Sequence, residues 1–369
     1  MTRRDARLAP FTVVWFALAA FACTSPPESV DQDPVAGVEG EAATEGVPVP
    51  TFHHMHINSV DPDASLDWWH TFWPSGTITT VGGFPAFEGD GVYLLYTQVD
   101  TQAPGAFQPG LYRSEPQSAF WTTGPDTDGK ALYERLTALD PEGDRFEFLP
   151  VHTGPDDTEG VPHSGLGPFG DQLRTVEEIE ALNGVPTERG ADSQDFGYLV
   201  DPDGVLVEFN GNAETEDIFY AHTHFWHEHP LCAVDWYVET LGLDALGAGQ
   251  RAGPCEVELG PVSYPTFFPE GQLRQPVGAV RTVNGLWAWY TRQCRVGRCG
   301  QTEDQPLVPS RGQVMDHVGL AYPDLDVVIA HLATQGVPIV EGPYPFGETR
   351  AILIEDLDGL ALELIEMPE

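Results

Sequence analysis

The chain has 369 residues, which is enough for two ordinary domains and a tail. Hydrophobic residues make up 41% of it, so a packed core can form, but 57 Asp and Glu against 17 Lys and Arg give a formal net charge of −40. Because contacts to phosphate groups need Lys and Arg, so acidic a surface argues against nucleic acid and anionic membrane surfaces as binding partners.

The N-terminal segment is typical of an export signal. Three arginines within the first seven residues precede an apolar run from Leu8 to Ala22, and small residues lie where signal peptidases cut. Cys23 follows directly, which resembles the lipobox of bacterial lipoproteins, where this cysteine receives the lipid. We therefore expect residues 1–23 to be a signal peptide with lipidation at Cys23; a plain cleaved signal or an uncleaved anchor is the alternative.

The next segment, residues 24–50, has the composition of a disordered linker. It is rich in Pro, Gly, Ala and Glu and shows no hydrophobic periodicity. Together with a lipid on Cys23 it predicts an exported, membrane-anchored lipoprotein at the periplasmic face or the cell surface. The linker would hold the folded part of the chain away from the membrane.

The remaining four cysteines agree with an oxidising compartment. Cys232, Cys255, Cys294 and Cys299 are an even number, which allows two disulfides. Cys294 and Cys299 bracket a short loop that a disulfide could close, which leaves Cys232 to pair with Cys255. A zinc knuckle is the rival, but it usually needs a Cys-x-x-Cys pair, and the sequence has none.

Two motifs each occur twice. The opening motif is a His-x-His pair in an apolar stretch, followed by Asp and two aromatic residues; its copies are His54, His56 and Asp67–Trp69, then His222, His224 and Asp235–Tyr237. The closing motif is an Asp-x-Asp-Gly turn with a glutamate four residues further on, at Glu208 and at Glu363. A duplicated unit with histidine at one end and glutamate at the other indicates a repeated fold and a metal site.

The last part of the chain shows the repeating unit most clearly. Its pattern predicts a strand over 314–321, a helix over 325–335 that ends at Gly336, an extended segment at 338–340, a strand over 350–354, a tight turn at 356–359 and a final strand over 360–365. The order is β-α-β-β-β. The same order follows His54 and His222.

A fourth module lies before Glu208, and the sequence leaves its start open. One interpretation begins its first strand at Phe120 and places its helix over 130–139. The other begins the strand near His163, which stands about as far before Glu208 as His317 stands before Glu363, with a helix over 175–182. Phe120 begins the better strand sequence, because a Gly- and Pro-rich run follows His163.

The modules resemble those of the vicinal oxygen chelate superfamily, which includes glyoxalase I, bleomycin- and fosfomycin-resistance proteins and extradiol dioxygenases. The resemblance rests on His317 with Asp324 seven residues later, matched by His54 with Asp61, and on the closing motif that ends at Glu363. It implies an α+β fold of two tandem domains, over 51–213 and 214–369. Each domain would pair two β-α-β-β-β modules into a half-open barrel around a cup.

The same resemblance implies the site. In the second domain His222, His317 and Glu363 would meet in the cup and bind one divalent metal, with Fe²⁺ as the first choice and Mn²⁺ or Zn²⁺ as alternatives. In the first domain the matching set is His54, His163 and Glu208. We expect that site to be degenerate, because its middle ligand disappears if the module starts at Phe120.

Further residues are candidates for supporting roles. His224 shares a strand face with His222 by alternation, and His227 and His229 form a polar cluster just after that strand. Tyr344 lies in a loop that could cover the site. Each could act next to the metal or as a catalytic acid or base.

The expected function is a metal-dependent enzyme acting on a small, oxygen-rich molecule by dioxygenation, isomerisation or lyase chemistry. A substrate with two adjacent oxygens would chelate the metal, which would act as a Lewis acid or orient oxygen. The alternative is a lipoprotein that binds or sequesters a small molecule in the same cup without turnover.

Overall fold

The computed structural model describes residues 46–102, 119–146, 148, 196–210, 217–246, 254–256, 262–263, 268–269, 277–291 and 307–367. Cys23, most of the linker, His163 and the pair Cys294 and Cys299 lie outside these ranges. In the described part of the chain no helix is long and apolar enough to cross a membrane.

The described residues form four modules. Module 1 contains β1 (Thr51–Ser59), α1 (Pro62–Phe72), β2 (Thr77–Val81), β3 (Phe84–Gly89) and β4 (Val92–Gln98). Module 2 contains β5 (Phe120–Asp126), α2 (Gly129–Leu139), β6 (Phe196–Val200) and β7 (Leu206–Asn210). Module 3 contains β8 (Phe219–His227), α3 (Pro230–Leu241), β9 (Asp244–Ala245), β10 (Val262–Ser263), β11 (Phe268–Pro269), β12 (Val277–Thr282) and β13 (Gly285–Thr291). Module 4 contains β14 (Met315–Tyr322), α4 (Leu325–Gln335), β15 (Glu341–Phe346), β16 (Thr349–Glu355) and β17 (Ala361–Glu366).

Two curled sheets contain all the strands of these modules except β10 and β11, which pair only with each other. The first sheet has eight strands in the order β15-β16-β17-β14-β1-β4-β3-β2, and the second has seven in the order β6-β7-β5-β8-β13-β12-β9. In each sheet the first strands of two modules pair antiparallel, β1 with β14 and β5 with β8. The predicted α+β fold of paired modules in half-open barrels is confirmed. The start of module 2 at Phe120 is confirmed as well.

The modules combine in a different way from the one expected. Consecutive modules were expected to share a domain, over 51–213 and 214–369, but the first sheet joins modules 1 and 4 and the second joins modules 2 and 3. The physical reason is that every module leaves its first strand with a free edge. That edge can pair with the first strand of any other module, so the local pattern does not determine the partner.

The aspartate seven residues after the histidine of strand one is a helix cap. Asp61 accepts a hydrogen bond from the backbone N–H of Ala64 at the start of α1, and Asp324 accepts two at the start of α4. Such caps satisfy N–H groups that have no partner within the helix. His229 holds the corresponding position before α3 and makes no side-chain capping bond.

The two sheets share one aromatic core. Phe52 of module 1 packs against Tyr220 and Trp287 of module 3, with ring centroids 5.3 and 5.1 Å apart. Trp68 and Trp69 on α1 are 2% exposed and belong to the same cluster. Burial of this much apolar surface makes the sheets a single unit.

The closing turns clasp the helices of the opening motif. In each turn the first aspartate accepts two backbone hydrogen bonds through one oxygen; the donors are Asp203 and Val205 to Asp201, and Asp358 and Leu360 to Asp356. The other oxygen of Asp201 accepts from Trp69 Nε1 at 3.0 Å, and that of Asp356 accepts from the Tyr237 hydroxyl at 2.9 Å. Trp69 and Tyr237 hold the same position in the two opening motifs. Each clasp therefore ties together two consecutive modules that lie in different sheets.

The disulfide expected between Cys232 and Cys255 is present, and it links the start of α3 to the segment around residue 255. His227 Nδ1 lies 3.0 Å from the Asp358 carboxylate, and the backbone N–H of His229 donates to the same ring nitrogen. The predicted polar cluster of His227 and His229 thus lies at the second clasp.

Removal of one clasp hydrogen bond tests this assignment. Burial raises the pKa of Asp356 to about 6, and hydrogen bonds from Leu360, Asp358 and Tyr237 oppose the rise. A carboxyl with a raised pKa contributes full stability below its unfolded pKa of about 3.9 and loses it as pH rises through the folded pKa. We expect Tyr237→Phe to lower the free energy of unfolding by about 1–3 kcal/mol, because a buried acceptor loses its donor.

The loss should be larger near pH 8 than near pH 5, since the hydroxyl favours the ionised form of Asp356. Urea unfolding at both pH values measures it. Tyr133→Phe is the matched control, because the Tyr133 ring on α2 packs against Phe148 and its hydroxyl takes part in neither clasp. If the free energy of unfolding changed with pH by the same amount in Tyr237→Phe and in the wild type, the clasp assignment would be wrong.

Candidate metal centre

Four side chains on three neighbouring strands meet in the first sheet. His54 and His56 lie on β1, His317 on β14 and Glu363 on β17. These strands are adjacent, and the register places His56 opposite His317, while Gly319 lies between His54 and Glu363. We call these four residues the first centre.

The distances in the first centre suit a bound ion. One ring nitrogen from each of the three histidines lies within 4.8 Å of the others. His54 Nε2 is 3.4 Å and His317 Nε2 is 4.0 Å from Glu363 Oε2. His54 is fully buried, and His56 and Glu363 are 4% exposed. Nitrogen and oxygen atoms this close together repel one another through their lone pairs unless a proton or a cation lies between them.

Each member of the first centre has one buried polar atom without a hydrogen-bond partner in the described structure. The atoms are His54 Nε2, His56 Nδ1, His317 Nε2 and Glu363 Oε2. A single such atom costs about 1–3 kcal/mol, so four in one place are unusual in a folded protein. A divalent cation would satisfy all of them, and this donor set of imidazole nitrogens and one carboxylate is one that such cations prefer.

The other nitrogen of two imidazoles is held in place. His56 Nε2 lies 2.7 Å from the hydroxyl of Thr97, and His317 Nδ1 lies 2.7 Å from the carboxylate of Asp316. A carboxylate or hydroxyl behind a histidine fixes the ring and its tautomer, so that the second nitrogen presents its lone pair. Both rings therefore present their remaining nitrogen to the centre.

The remaining two members are held in the same way. The Tyr344 hydroxyl donates to Glu363 Oε1 at 2.7 Å, and His53 Nδ1 lies 2.8 Å from His54 Nδ1. The outer atoms of the whole centre are thus occupied, while the inner atoms converge.

Burial keeps the rings of His54 and His56 neutral. It lowers the pKa of His56 to about 3, an effect that nearby His317 reinforces, and it lowers the pKa of His54 well below its ordinary value. Burial also raises the pKa of Glu363, while His317 and Tyr344 oppose the rise. A metal binds the neutral form of an imidazole, so burial leaves His54 and His56 in the form that a metal binds.

Small and aromatic neighbours shape the centre. A Cβ atom on Gly319 would overlap the His54 ring, so the absence of a side chain at 319 makes room for this imidazole. Phe346 stacks on His54 with 5.9 Å between ring centroids and is 5% exposed. A cavity of about 740 Å³ lies beyond it, lined by Phe346, His53, Tyr93 and Arg350 among others. The four members of the first centre are not part of that lining.

A second group of potential ligands lies in the second sheet. Glu208, His222 and His224 each offer an atom within 4.8 Å of the others. His222 Nε2 is 3.8 Å from Glu208, and His222 Nδ1 is 4.0 Å from Asp126.

The structure regroups the predicted ligands. His222 was expected to join His317 and Glu363, but it lies in the second sheet with Glu208, while His54 takes its place in the first centre. The expected set of His54, His163 and Glu208 is likewise not brought together, since His54 and Glu208 lie in different sheets. The exchange follows directly from the pairing of module 1 with module 4.

Two predicted supporting residues lie beside predicted ligands: Tyr344 donates a hydrogen bond to Glu363, and His224 adjoins His222 with ring centroids 4.6 Å apart. Sequence reasoning missed His56, although it alternates with His54 in the opening motif as His224 does with His222. It also missed Asp316, which directly precedes a predicted ligand in the sequence.

Comparisons with known proteins give likenesses of structure. Glyoxalase I from Zea mays is 12% identical, covers 86% of this chain and 92% of its own length, and has a TM-score of 0.49. A putative dioxygenase from Bacillus subtilis is 11% identical over 88% and 87% of the two chains, also with a TM-score of 0.49. A member of the glyoxalase/bleomycin resistance protein/dioxygenase superfamily from Sphaerobacter thermophilus is 18% identical over 40% of this chain and 95% of its own, with a TM-score of 0.25. Neither a protein-family model nor a curated protein sequence matches the chain.

The contact between Gly319 and His54 gives a test of the site geometry. We expect Gly319→Ala to destabilise the protein by about 1–3 kcal/mol, since the added methyl group must displace the His54 ring. In a His54→Ala background the same change should cost far less, because the overlapping ring is gone. Urea unfolding of the wild type, both single variants and the double variant measures the coupling. Additive effects would contradict the close packing.

Proposed function

We propose that the first centre binds one divalent transition metal and that the protein is a metal-dependent enzyme acting on a small molecule with adjacent oxygen atoms. The proposal rests on four buried side-chain atoms, three nitrogens and one oxygen, that lie close together and have no hydrogen-bond partner in the described structure. His54, His317 and Glu363 would be ligands, and His56 would supply a third imidazole.

The donor set favours Fe²⁺, with Mn²⁺ or Zn²⁺ as alternatives. Imidazoles with one carboxylate suit these ions better than Mg²⁺ or Ca²⁺, which prefer oxygen ligands. Four protein ligands on an octahedral ion leave two positions, enough for a substrate that chelates through two neighbouring oxygens. The bound ion would supply Lewis-acid activation of that substrate and orient it for dioxygenation, isomerisation or elimination.

The residues around the ligands have roles of their own. The Asp316 carboxylate, 2.7 Å from His317 Nδ1, would hold the ring with Nε2 directed at the metal, and the Tyr344 hydroxyl donates to the second oxygen of Glu363. Phe346 stacks on His54 and lines the neighbouring cavity, and we expect it to limit access of water from that cavity to the metal. A dry, rigid site strengthens electrostatic interactions with a developing negative charge.

A protein that binds without turnover is the second candidate. The number of ligands supports it, because four protein ligands resemble a closed structural metal site more than an open catalytic one. Acetohydroxamate, a small molecule with two adjacent oxygens, separates open from closed sites. A visible charge-transfer band on the ferric protein would show open positions, and its absence would contradict the enzyme.

The place of action is a further part of the proposal. We propose that the chain is exported and anchored by a lipid on Cys23. The supporting observations are the basic and apolar N-terminal segment and the disulfide between Cys232 and Cys255.

The metal ligands can be tested one at a time. We expect His54→Ala, His317→Ala and Glu363→Gln each to weaken Fe²⁺ binding by about 100-fold or more, since each removes a direct ligand. Competition with a chromophoric chelator measures the dissociation constant. His70→Ala is the matched control, because this exposed histidine on α1 lies outside the first centre. Unchanged Fe²⁺ affinity in all three ligand variants would overturn the proposal.

A further inference from the structure

We infer that the second sheet carries a metal centre of its own, held by Glu208, His222 and His224, which leaves its ion more open than the first centre does. This inference goes beyond the proposed function, which uses the first sheet alone. It rests on the position of these three residues, on the distances between them and on one difference between the sheets.

The strands around the two groups have the same arrangement. In the first sheet β14 pairs antiparallel with β1 and parallel with β17; in the second sheet β5 pairs antiparallel with β8 and parallel with β7. The strand that carries His222 therefore corresponds to that of His54, and the strand of Glu208 to that of Glu363. A glycine lies opposite the leading histidine in both sheets, Gly319 facing His54 and Gly124 facing His222.

A glycine leaves room for the His222 ring, as Gly319 does for the His54 ring. A Cβ atom on Gly124 would overlap the His222 ring, so this strand also makes room for the imidazole. Glu208 is 4% exposed and His224 is 6% exposed. Glu208 Oε1 lies 3.8 Å from His222 Nε2, and one ligand atom of each of the three residues falls within 4.8 Å of the others.

The difference lies on the partner strand. In the first sheet His56 pairs in register with His317 on the partner strand, whereas position 122 is the register partner of His224 in the second sheet, and it is a threonine. The second sheet thus has no histidine at the register position that His317 holds. His224 then provides the second imidazole, from the same strand as His222.

Asp126 lies behind His222. Its carboxylate is 4.0 Å from Nδ1, whereas Glu208 lies near Nε2, on the other side of the ring. The His222 ring thus lies between two carboxylates, and Nε2 is the nitrogen on the side of Glu208. Two imidazoles and one carboxylate leave three positions open on an octahedral ion, one more than four ligands leave in the first sheet.

Counting Co²⁺ ions in the full-length protein tests the inference. The wild type should bind two Co²⁺ per chain, measured by mass spectrometry of the metal and by visible absorption. Glu208→Gln with His224→Gln should bind one, and so should His54→Gln with Glu363→Gln. The combined variant should bind none, and His70→Ala should still bind two.

The outcomes separate the two centres. If the wild type binds one Co²⁺ and only the first-sheet pair of substitutions removes it, the second centre does not exist. If only the second-sheet pair removes Co²⁺, the inference stands and the proposed function of the first centre fails. Because a variant can lose metal by unfolding, the rise in Tm on addition of Co²⁺ is measured as well. It should persist in each pair and vanish in the combined variant.

Discussion

The antiparallel pairing of β1 with β14 is the contact on which the first centre depends. It sets His56 opposite His317 and Gly319 beneath His54, although more than 250 residues separate the two strands. A shift of one residue would turn the histidines of β1 to the opposite face of the sheet, because side chains alternate along a strand. The aromatic core and the two clasps, from Trp69 to Asp201 and from Tyr237 to Asp356, hold the sheets that contain these strands together.

The two sheets use one plan with different residues. In both, a glycine admits a histidine and a glutamate comes from the strand on the far side, yet His317 of the first sheet corresponds by register to Thr122 of the second. A change at one register position alters the number of nitrogen ligands while the backbone plan stays the same. Duplication of a module thus allows two sites of different openness within one fold.

Much of the architecture could be predicted from the sequence, because its signals are local. The caps at Asp61 and Asp324, the glycine that ends α4 and the closing turns all act within a few residues. The choice of module partner could not be predicted, since each first strand offers a similar edge. Because the partner was unknown, His222 was predicted to join His317 and Glu363, whereas it lies with Glu208. The sequence still indicated the candidate ligands themselves: His54, His222, His317, Glu208 and Glu363. His56 was overlooked because only its contact with the distant β14 distinguishes it.

The placement of modules 1 and 4 in one sheet has a consequence for how the protein is made. Synthesis proceeds from the N-terminus, so β1 emerges long before its partner strand β14, while modules 2 and 3 can pair as soon as β13 is complete. The middle of the chain can therefore fold first and act as a template for the outer modules. Contacts between residues so distant in sequence form slowly. A chain whose synthesis stopped before residue 317 would contain the complete second sheet but only the module 1 half of the first sheet. The edge of β1 that normally pairs with β14 would then be exposed and could pair with a second copy of the chain.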